Sequence, residues 1–339
     1  MAKTTKTEHS GNAVVYSSPY IPAEWVAAHG FVPSRRSCMN YNRTLFISPP
    51  INVEAGVCPY MRGFINQAAG DPGVRAIILT TTCDQMRRGA DLINLWTKIP
   101  CFLMHVPSSW QTAGVKKLYA SELERLGHFL VSLGGIKPCT DDLAAIMLGY
   151  EGKREKLLAQ QGALSGKSFA EKLACFAETG EVSEGRRQDR RAHKAIPLGF
   201  IGSPLTGNHF DLFDVFAAYG ADIVVNATET GERVLPARFD VQRLKDEPAQ
   251  VLAQSYFGAF PDISDRPNDK IFKWMKKKVE DNGIRGIVSI RYVWCDKWHA
   301  EVERFRKCLP VPLLDIELNG EEIGARAKNR IQAFMEGLL

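Results

Sequence analysis

The sequence predicts an α/β protein with two parallel-sheet domains and a helical segment between them. Three observations carry that reading. β-Branched runs such as "AIILTTT" and "GIVSIRYVW" alternate with stretches of helical periodicity about 10–15 residues long, as βαβ units do. The alternation occurs twice, in the first 140 residues and again from residue 195. Between them, residues 141–194 carry helical periodicity and then a polar run. The expected division is 1–140, an N-terminal α/β domain with a leading helix; 141–194, a helical connection; and 195–339, a C-terminal α/β domain.

The elements follow in order. A helix starts near Pro22 and ends at Gly30, since proline suits a first turn and glycine a stop. Val74–Thr82 reads as a strand, Asp84–Trp96 as a helix and Cys101–Val106 as a strand. Val115–Leu133 is helical. After a Gly-Gly break, a second helical block runs from Asp141 to Gln161, with Thr140 as its N-cap. "LSGKSFAEKLACFAETGE" continues in helix, and the polar run Gly180–Lys194 joins the halves. The second half restarts with "IPLGFIGS" (strand), "NHFDLFDVFAAYG" (helix) and "ADIVVNA" (strand). An irregular region, a helical stretch and the Asp/Pro-rich "FPDISDRPND" come next. Helix Lys270–Asp281, strand Arg285–Trp294, helix Lys297–Cys308, strand Val311–Glu317 and helix Glu321–Leu338 complete the chain. "GFIGSPLTGN" has glycines at 199, 202 and 207, which is neither the dinucleotide nor the P-loop spacing. Each domain is thus a Rossmann-like sheet without the usual phosphate fingerprint.

At 339 residues the chain can bury two cores, and 45% apolar with 24% charged residues describes a soluble globular protein. The net charge of +5 is modest. The basic runs "EGRRQDRRAHK" and "KWMKKKVED" read as a connection and a solvated helix face, because no aromatic-studded basic surface accompanies them. Nucleic-acid binding is therefore not expected, whereas an anionic nucleotide or coenzyme A suits this charge. No stretch reaches the ~20 apolar residues of a membrane span, and the N-terminus lacks a signal-peptide core. A cytoplasmic location follows as the expectation, and there disulfides are rare.

The eight cysteines need another account. Cys58 precedes Pro59 at a loop-to-helix junction, while Cys83 and Cys295 each end a strand and precede a helix. In open α/β sheets such strand ends converge on the ligand crevice. A helix N-terminus also favours the thiolate that a metal requires. Three thiolates, two from the first half and one from the second, can meet in a cleft between domains. Cys101 and Cys175 read as buried small hydrophobes, and Cys38, Cys139 and Cys308 as structural. The absence of a C-x-x-C pair disfavours a closed zinc site; three thiolates without a fourth suit an iron–sulfur cluster with one iron ligated differently. His299 lies one turn beyond Cys295 and faces either the site or solvent. "ATETGERVLPARF", with Glu229, Glu232 and Arg233, is either a contacting loop or an ordinary salt-bridged one.

In order along the chain stand "PYIPAEWVAAHGFVP", "CPYMRGFI", "TTTCDQMRR", "YASELERLGHFLVSLGGIKPCTDDL", "GFIGSPL", "VVNATETGERVL", "VWCDKWHAEV" and "PVPLLDIELN". This ordered set resembles the 2-hydroxyacyl-CoA dehydratase family, which includes benzoyl-CoA reductase subunits and double-cubane cluster proteins. The resemblance covers Tyr20 to Leu338. It implies that Cys58, Cys83 and Cys295 hold an iron–sulfur cluster, either [4Fe–4S] or a double-cubane [8Fe–9S]. It further implies a homo- or heterodimer with a homologous subunit, an ATP-hydrolysing iron–sulfur activator protein and an acyl-CoA substrate. In such dehydratases one low-potential electron converts the thioester to a ketyl radical that expels a hydroxyl. The alternatives are a double-cubane reductase of small molecules and a non-catalytic electron-relay subunit. The chain departs from the family where a "GQ-x-x-x-R" pattern is common, since it reads "GARAKNR" with Ala325 after Gly324.

Overall fold

The computed structural model describes residues 11–37, 56–182, 194–319 and 323–339. Cys38, most of the basic run ending at Lys194 and Glu321 lie outside the described residues. In the first half, β1 (Ala13–Tyr16), β2 (Val32–Arg35), β3 (Val74–Thr80) and β4 (Cys101–Met104) form a parallel sheet in the order β2-β1-β3-β4. In the second, β5 (Ile196–Gly202), β6 (Ala221–Thr228), β7 (Gly286–Tyr292) and β8 (Leu313–Leu318) form another, in the order β6-β5-β7-β8. The protein is thus a two-sheet α/β fold of the Rossmann-like kind expected. β1 and β2 are additions to the sequence reading. Each has four residues, and "VPSR" contains a proline, so local pattern does not announce them. Pairing of β1 with β3 on one side and β2 on the other makes them strands.

Helices cover both faces, as parallel strands require. Every residue of β7 is buried, which accounts for its unbroken "GIVSI" run. Helices α2 (Pro59–Gly70) and α3 (Asp84–Trp96) pack on one face of the first sheet. Their core runs on without a break into the second sheet and the helices α7 (Asp211–Ala218) and α11 (Ala325–Glu336). The other face of the first sheet holds α1 (Ala23–Ala28), α4 (Ala113–Ser132), α5 (Thr140–Leu158) and α8 (Pro248–Tyr256). Although α8 follows β6 in the chain, its Val251, Leu252 and Tyr256 join this first-half core. Helices α9 (Asp269–Asp281) and α10 (Asp296–Cys308) close the remaining face of the second sheet. In α9, Ile271, Phe272, Met275 and Val279 point inward while Lys273, Lys276 and Lys277 are exposed, the solvated basic face that was expected. Helix α6 (Gly166–Thr179) lies between β2 and β6, where the two sheets approach.

Several helix starts shift from the sequence reading, and two of the shifts are informative. Cys139 rather than Thr140 caps α5, its sulfur accepting the Asp142 amide at 3.4 Å. Helix α11 begins at Ala325, after an extended Gly324, and not at Glu321.

One buried ion pair, through a tyrosine that donates to it, ties α8 of the second half to the first. Arg154 of α5 and Glu24 of α1 are 4% and 0% exposed and hydrogen-bond directly. The second Glu24 oxygen accepts the Tyr256 hydroxyl from α8 at 2.7 Å, and Arg154 also reaches Glu151 at 2.8 Å. Removing one partner leaves an uncompensated buried charge, so Arg154→Met should cost about 3–5 kcal/mol in denaturant melts. Adding Glu24→Gln, which still accepts from Tyr256, should restore most of that loss.

Candidate functional site

Both sheets have a strand order in which crossovers leave the first strand in opposite directions. Each therefore has a switch point, between β1 and β3 and between β5 and β7. The segments leaving those four strands converge: Ser18 and Pro19 after β1, Thr82 and Cys83 after β3, Ser203 and Pro204 after β5, Trp294 and Cys295 after β7. With Cys58 they line one cavity of about 690 Å³, partly open to solvent. The structure brings the three junction cysteines together.

Each of the three thiols stands at the N-cap of a helix: Cys58 on α2, Cys83 on α3, Cys295 on α10. The Cys58 sulfur accepts the Met61 amide at 3.5 Å, and its own amide donates to the Gln85 side chain on α3. Ser203 donates its hydroxyl to the Cys295 sulfur at 3.7 Å. Gly202, with φ 138°, makes that contact possible, because a Cβ there would lie 1.9 Å from the Ile290 carbonyl of β7. Trp294 adopts φ 65°, left-handed backbone that costs a non-glycine residue about 1–2 kcal/mol. This tight turn delivers Cys295, whose amide donates to the Tyr292 carbonyl at 3.1 Å.

Electrostatics modify the expectation that helix ends ease ionisation. Burial pushes the Cys58 thiol up to about 12, and Cys83 and Cys295 add to the rise, against the amides of Met61 and Tyr60. Burial likewise pushes Cys295 up to about 11, opposed by the Trp298 amide and Ser203. Burial raises Cys83 too, against nearby amides and Lys297. Desolvation outweighs the helix ends at all three positions, so without a positive partner the thiols stay protonated near neutral pH.

The loop "ATETGERVLPARF" is salt-bridged, and one of its residues also borders the cavity. Glu229 lines the cavity and accepts the Trp298 indole N–H at 3.3 Å; burial and the Asp262 charge raise its pKa, against Arg233. Arg233 is an internal strut: its guanidinium donates to the Ala227 carbonyl at 2.9 Å, Pro261 carbonyl at 2.8 Å and Asp262 carboxylate at 2.9 Å. Burial pushes the Asp262 carboxyl up, but Arg233 outweighs it and holds it below its ordinary value. Glu232 pairs with Lys278 at 2.6 Å, away from the cleft. Lys297, at the cavity wall, donates to Ser264 at 3.1 Å.

The other cysteines stay apart. Cys101 packs against the core, Cys175 is half-buried on α6, and Cys139 and Cys308 are exposed. His299 is exposed and does not line the cavity. Among the described residues, no three His, Cys, Asp or Glu side chains are arranged to hold a metal ion. Sequence reasoning missed Asp262, Asp265, Lys297 and Trp298. "FPDISDRPND" held a usable signal, since carboxylates interleaved with Phe260 and Ile263 are unusual in a solvated loop.

Fold and site together define an α/β protein of two parallel sheets with three helix-capping thiols in the cleft their switch points share. The chain matches the model of the 2-hydroxyglutaryl-CoA dehydratase, D-component, family over residues 19–338 and belongs to that family. It is thus a dehydratase-type enzyme subunit, and a D-component implies a partner subunit. Among curated proteins, none matches the chain. No helix among the described residues is long and apolar enough to cross a membrane.

One group beside the cleft sets a pH dependence. Asp265 is pushed up to about 7 by burial and by the Asp262 charge, against Tyr20, Lys270 and Arg233. Its Oδ1 accepts the Tyr20 hydroxyl at 3.2 Å, while Oδ2 is buried without a partner among the described residues. The unfolded chain releases this proton near pH 4 and the native protein near 7, so stability falls as pH rises through that window. Asp265→Asn should melt like the parent at pH 4. At pH 8 it should be more stable by on the order of 2–4 kcal/mol, since the amide never ionises.

Proposed function

We propose that Cys58, Cys83 and Cys295 hold an iron–sulfur cluster and that the chain is the iron–sulfur subunit of a 2-hydroxyacyl-CoA dehydratase-like enzyme. The observation that carries the reading is the convergence of three helix-capping thiols, from both halves of the chain, on one cavity. The donor set suits a cluster. Thiolates spread around a cavity ligate separate irons, and three of them leave one iron for a different ligand. Their raised pKa values fit as well, because an iron charge displaces protons that burial otherwise retains. When bound, such a group supplies single electrons at low potential to an acyl-CoA thioester.

The chain's own residues prepare that chemistry. Ser203 and the Met61 amide donate to the Cys295 and Cys58 sulfurs, which stabilises negative charge there and tunes potential. Lys297 adds positive charge on the wall. Tyr60, Tyr292 and Trp298 give the cavity apolar surface and restrict water. The carboxyl of Glu229 faces the cavity and acts on both Cys83 and Cys295. An ATP-hydrolysing activator and a homologous subunit complete this reading, whether the cluster is a single cubane or a double one.

A second reading has a specific observation in its favour. The described lining carries Lys297 against the carboxylates Glu229 and Asp262, without the cationic patch that coenzyme A phosphates call for. An electron-relay subunit, with the acyl-CoA held mainly by its partner, fits that balance.

Iron and acid-labile sulfide should be counted on anaerobically purified protein, with EPR spectra before and after reduction. About four irons per chain are expected for one cubane. Cys83→Ala should lose most of the iron and Cys175→Ala should retain it; equal iron in the two variants would sink the assignment. Loaded protein should also melt higher than apoprotein, because a ligand of the native state alone stabilises it.

A further inference from the structure

A second cavity, of about 620 Å³ and partly open to solvent, lies on the other side of the Glu229–Gly231 segment from the thiol cleft. It too sits at the carboxyl edge of a sheet. Tyr16 ends β1, Arg35 ends β2, and the two are register partners. Helix α5 contributes Tyr150, and α6 contributes Leu173 and Phe176.

The polar groups here are under-used. Tyr16 is 2% exposed, yet its hydroxyl has no hydrogen-bond partner among the described residues. The Tyr150 hydroxyl also lacks one. Arg35 donates from Nε to the Ser17 carbonyl at 3.0 Å and from Nη2 to the Glu229 carbonyl, which leaves Nη1 uncommitted among the described residues. Neither hydroxyl is sealed away from the cavity, so both are free to donate to an acceptor placed there. Burial keeps both phenols neutral, Tyr150 being pushed up to about 12, so each remains a donor at working pH.

The charge balance says what kind of acceptor. Among the described residues, no Asp or Glu lines this cavity. Arg154, which does, is already neutralised by Glu24 and Glu151 behind it, and the Tyr256 hydroxyl is committed to Glu24. Arg35, which also interacts with the Glu229 carboxyl outside this cavity, therefore supplies the positive charge facing it, flanked by two phenol donors, and a planar guanidinium suits a carboxylate. The remaining wall is apolar, with Ile21, Leu173 and Phe176. One anionic head and a hydrocarbon tail match this division of the surface.

We propose that this cavity is a binding site for a small carboxylic acid with an apolar tail. Arg35 and the hydroxyls of Tyr16 and Tyr150 hold the carboxylate, and the tail lies against Ile21, Leu173 and Phe176. The site is separate from the thiol cleft but joined to it, since Arg35 also holds the backbone of Glu229, whose side chain lines that cleft.

Calorimetric titration of the full chain without iron tests this independently of the cluster assignment. The probes are hexanoate, hexanamide and inorganic phosphate. Hexanoate should bind, hexanamide at least about tenfold more weakly, and phosphate hardly at all. The double variant Tyr16→Phe with Tyr150→Phe keeps both rings and should bind hexanoate about tenfold more weakly. If it does not fold, Tyr150→Phe alone serves under the same criterion. The proposal is overturned if hexanoate shows no binding at about 10 mM, if the amide or phosphate binds equally well, or if the folded variant binds hexanoate as the parent does.

Discussion

Parallel strands place all their carboxyl ends on one edge of a sheet, because every crossover must return to the opposite edge before the next strand starts. In this protein the two such edges share a cleft, and the rest of the site follows from that constraint. Four strand ends supply Ser18, Cys83, Ser203 and Cys295 to one cavity although the first and last stand 277 positions apart in the chain. The helices that follow β3 and β7 start there, so Cys83 and Cys295 fall at helix N-caps by construction. The acid-recognising cavity beside β1 and β2 obeys the same rule at the next pair of strand ends.

Burying thiols at helix ends sets two effects against each other. Amide groups at an N-cap favour the thiolate, while a low-dielectric wall disfavours it more strongly. All three thiols end above their ordinary value, with burial the dominant cause. In the reading proposed above, a bound cluster would have to displace the protons that burial retains. The same burial limits the contact of the thiols with water, which the cluster proposed above would call for. The charged residues around it are arranged accordingly. Arg233, with no accessible side-chain surface, fixes Asp262 and the end of β6, which in turn position Glu229 at the wall.

The two sheets are joined by more than the cleft. One continuous apolar core runs from α2 and α3 through to α7 and α11, and α8 returns from the second half to pack with α1, α4 and α5. The Glu24–Arg154–Tyr256 network lies on that return. Such contacts hold the strand ends of both sheets in fixed relation, which a site assembled from both halves needs.

The sequence by itself determined the fold class and the position of the three thiols along the chain. Runs such as "AIILTTT" and "GIVSIRY" are long and β-branched, and their flanking helices are strongly amphipathic, so local pattern and final structure agree. The junction cysteines were legible because a strand–Cys–helix boundary is a local feature. Tertiary structure alone decided the rest. β1 and β2 are too short to declare themselves and exist because β3 offers an edge to pair with. Whether Cys58, Cys83 and Cys295 ionise readily depended on burial, which spacing does not encode. The charges of Arg233, Asp262 and Glu229, and the unpartnered hydroxyl of Tyr16, take their meaning from residues remote in the chain. Long-range packing sets their dielectric and their partners, and for that reason no local pattern reveals them.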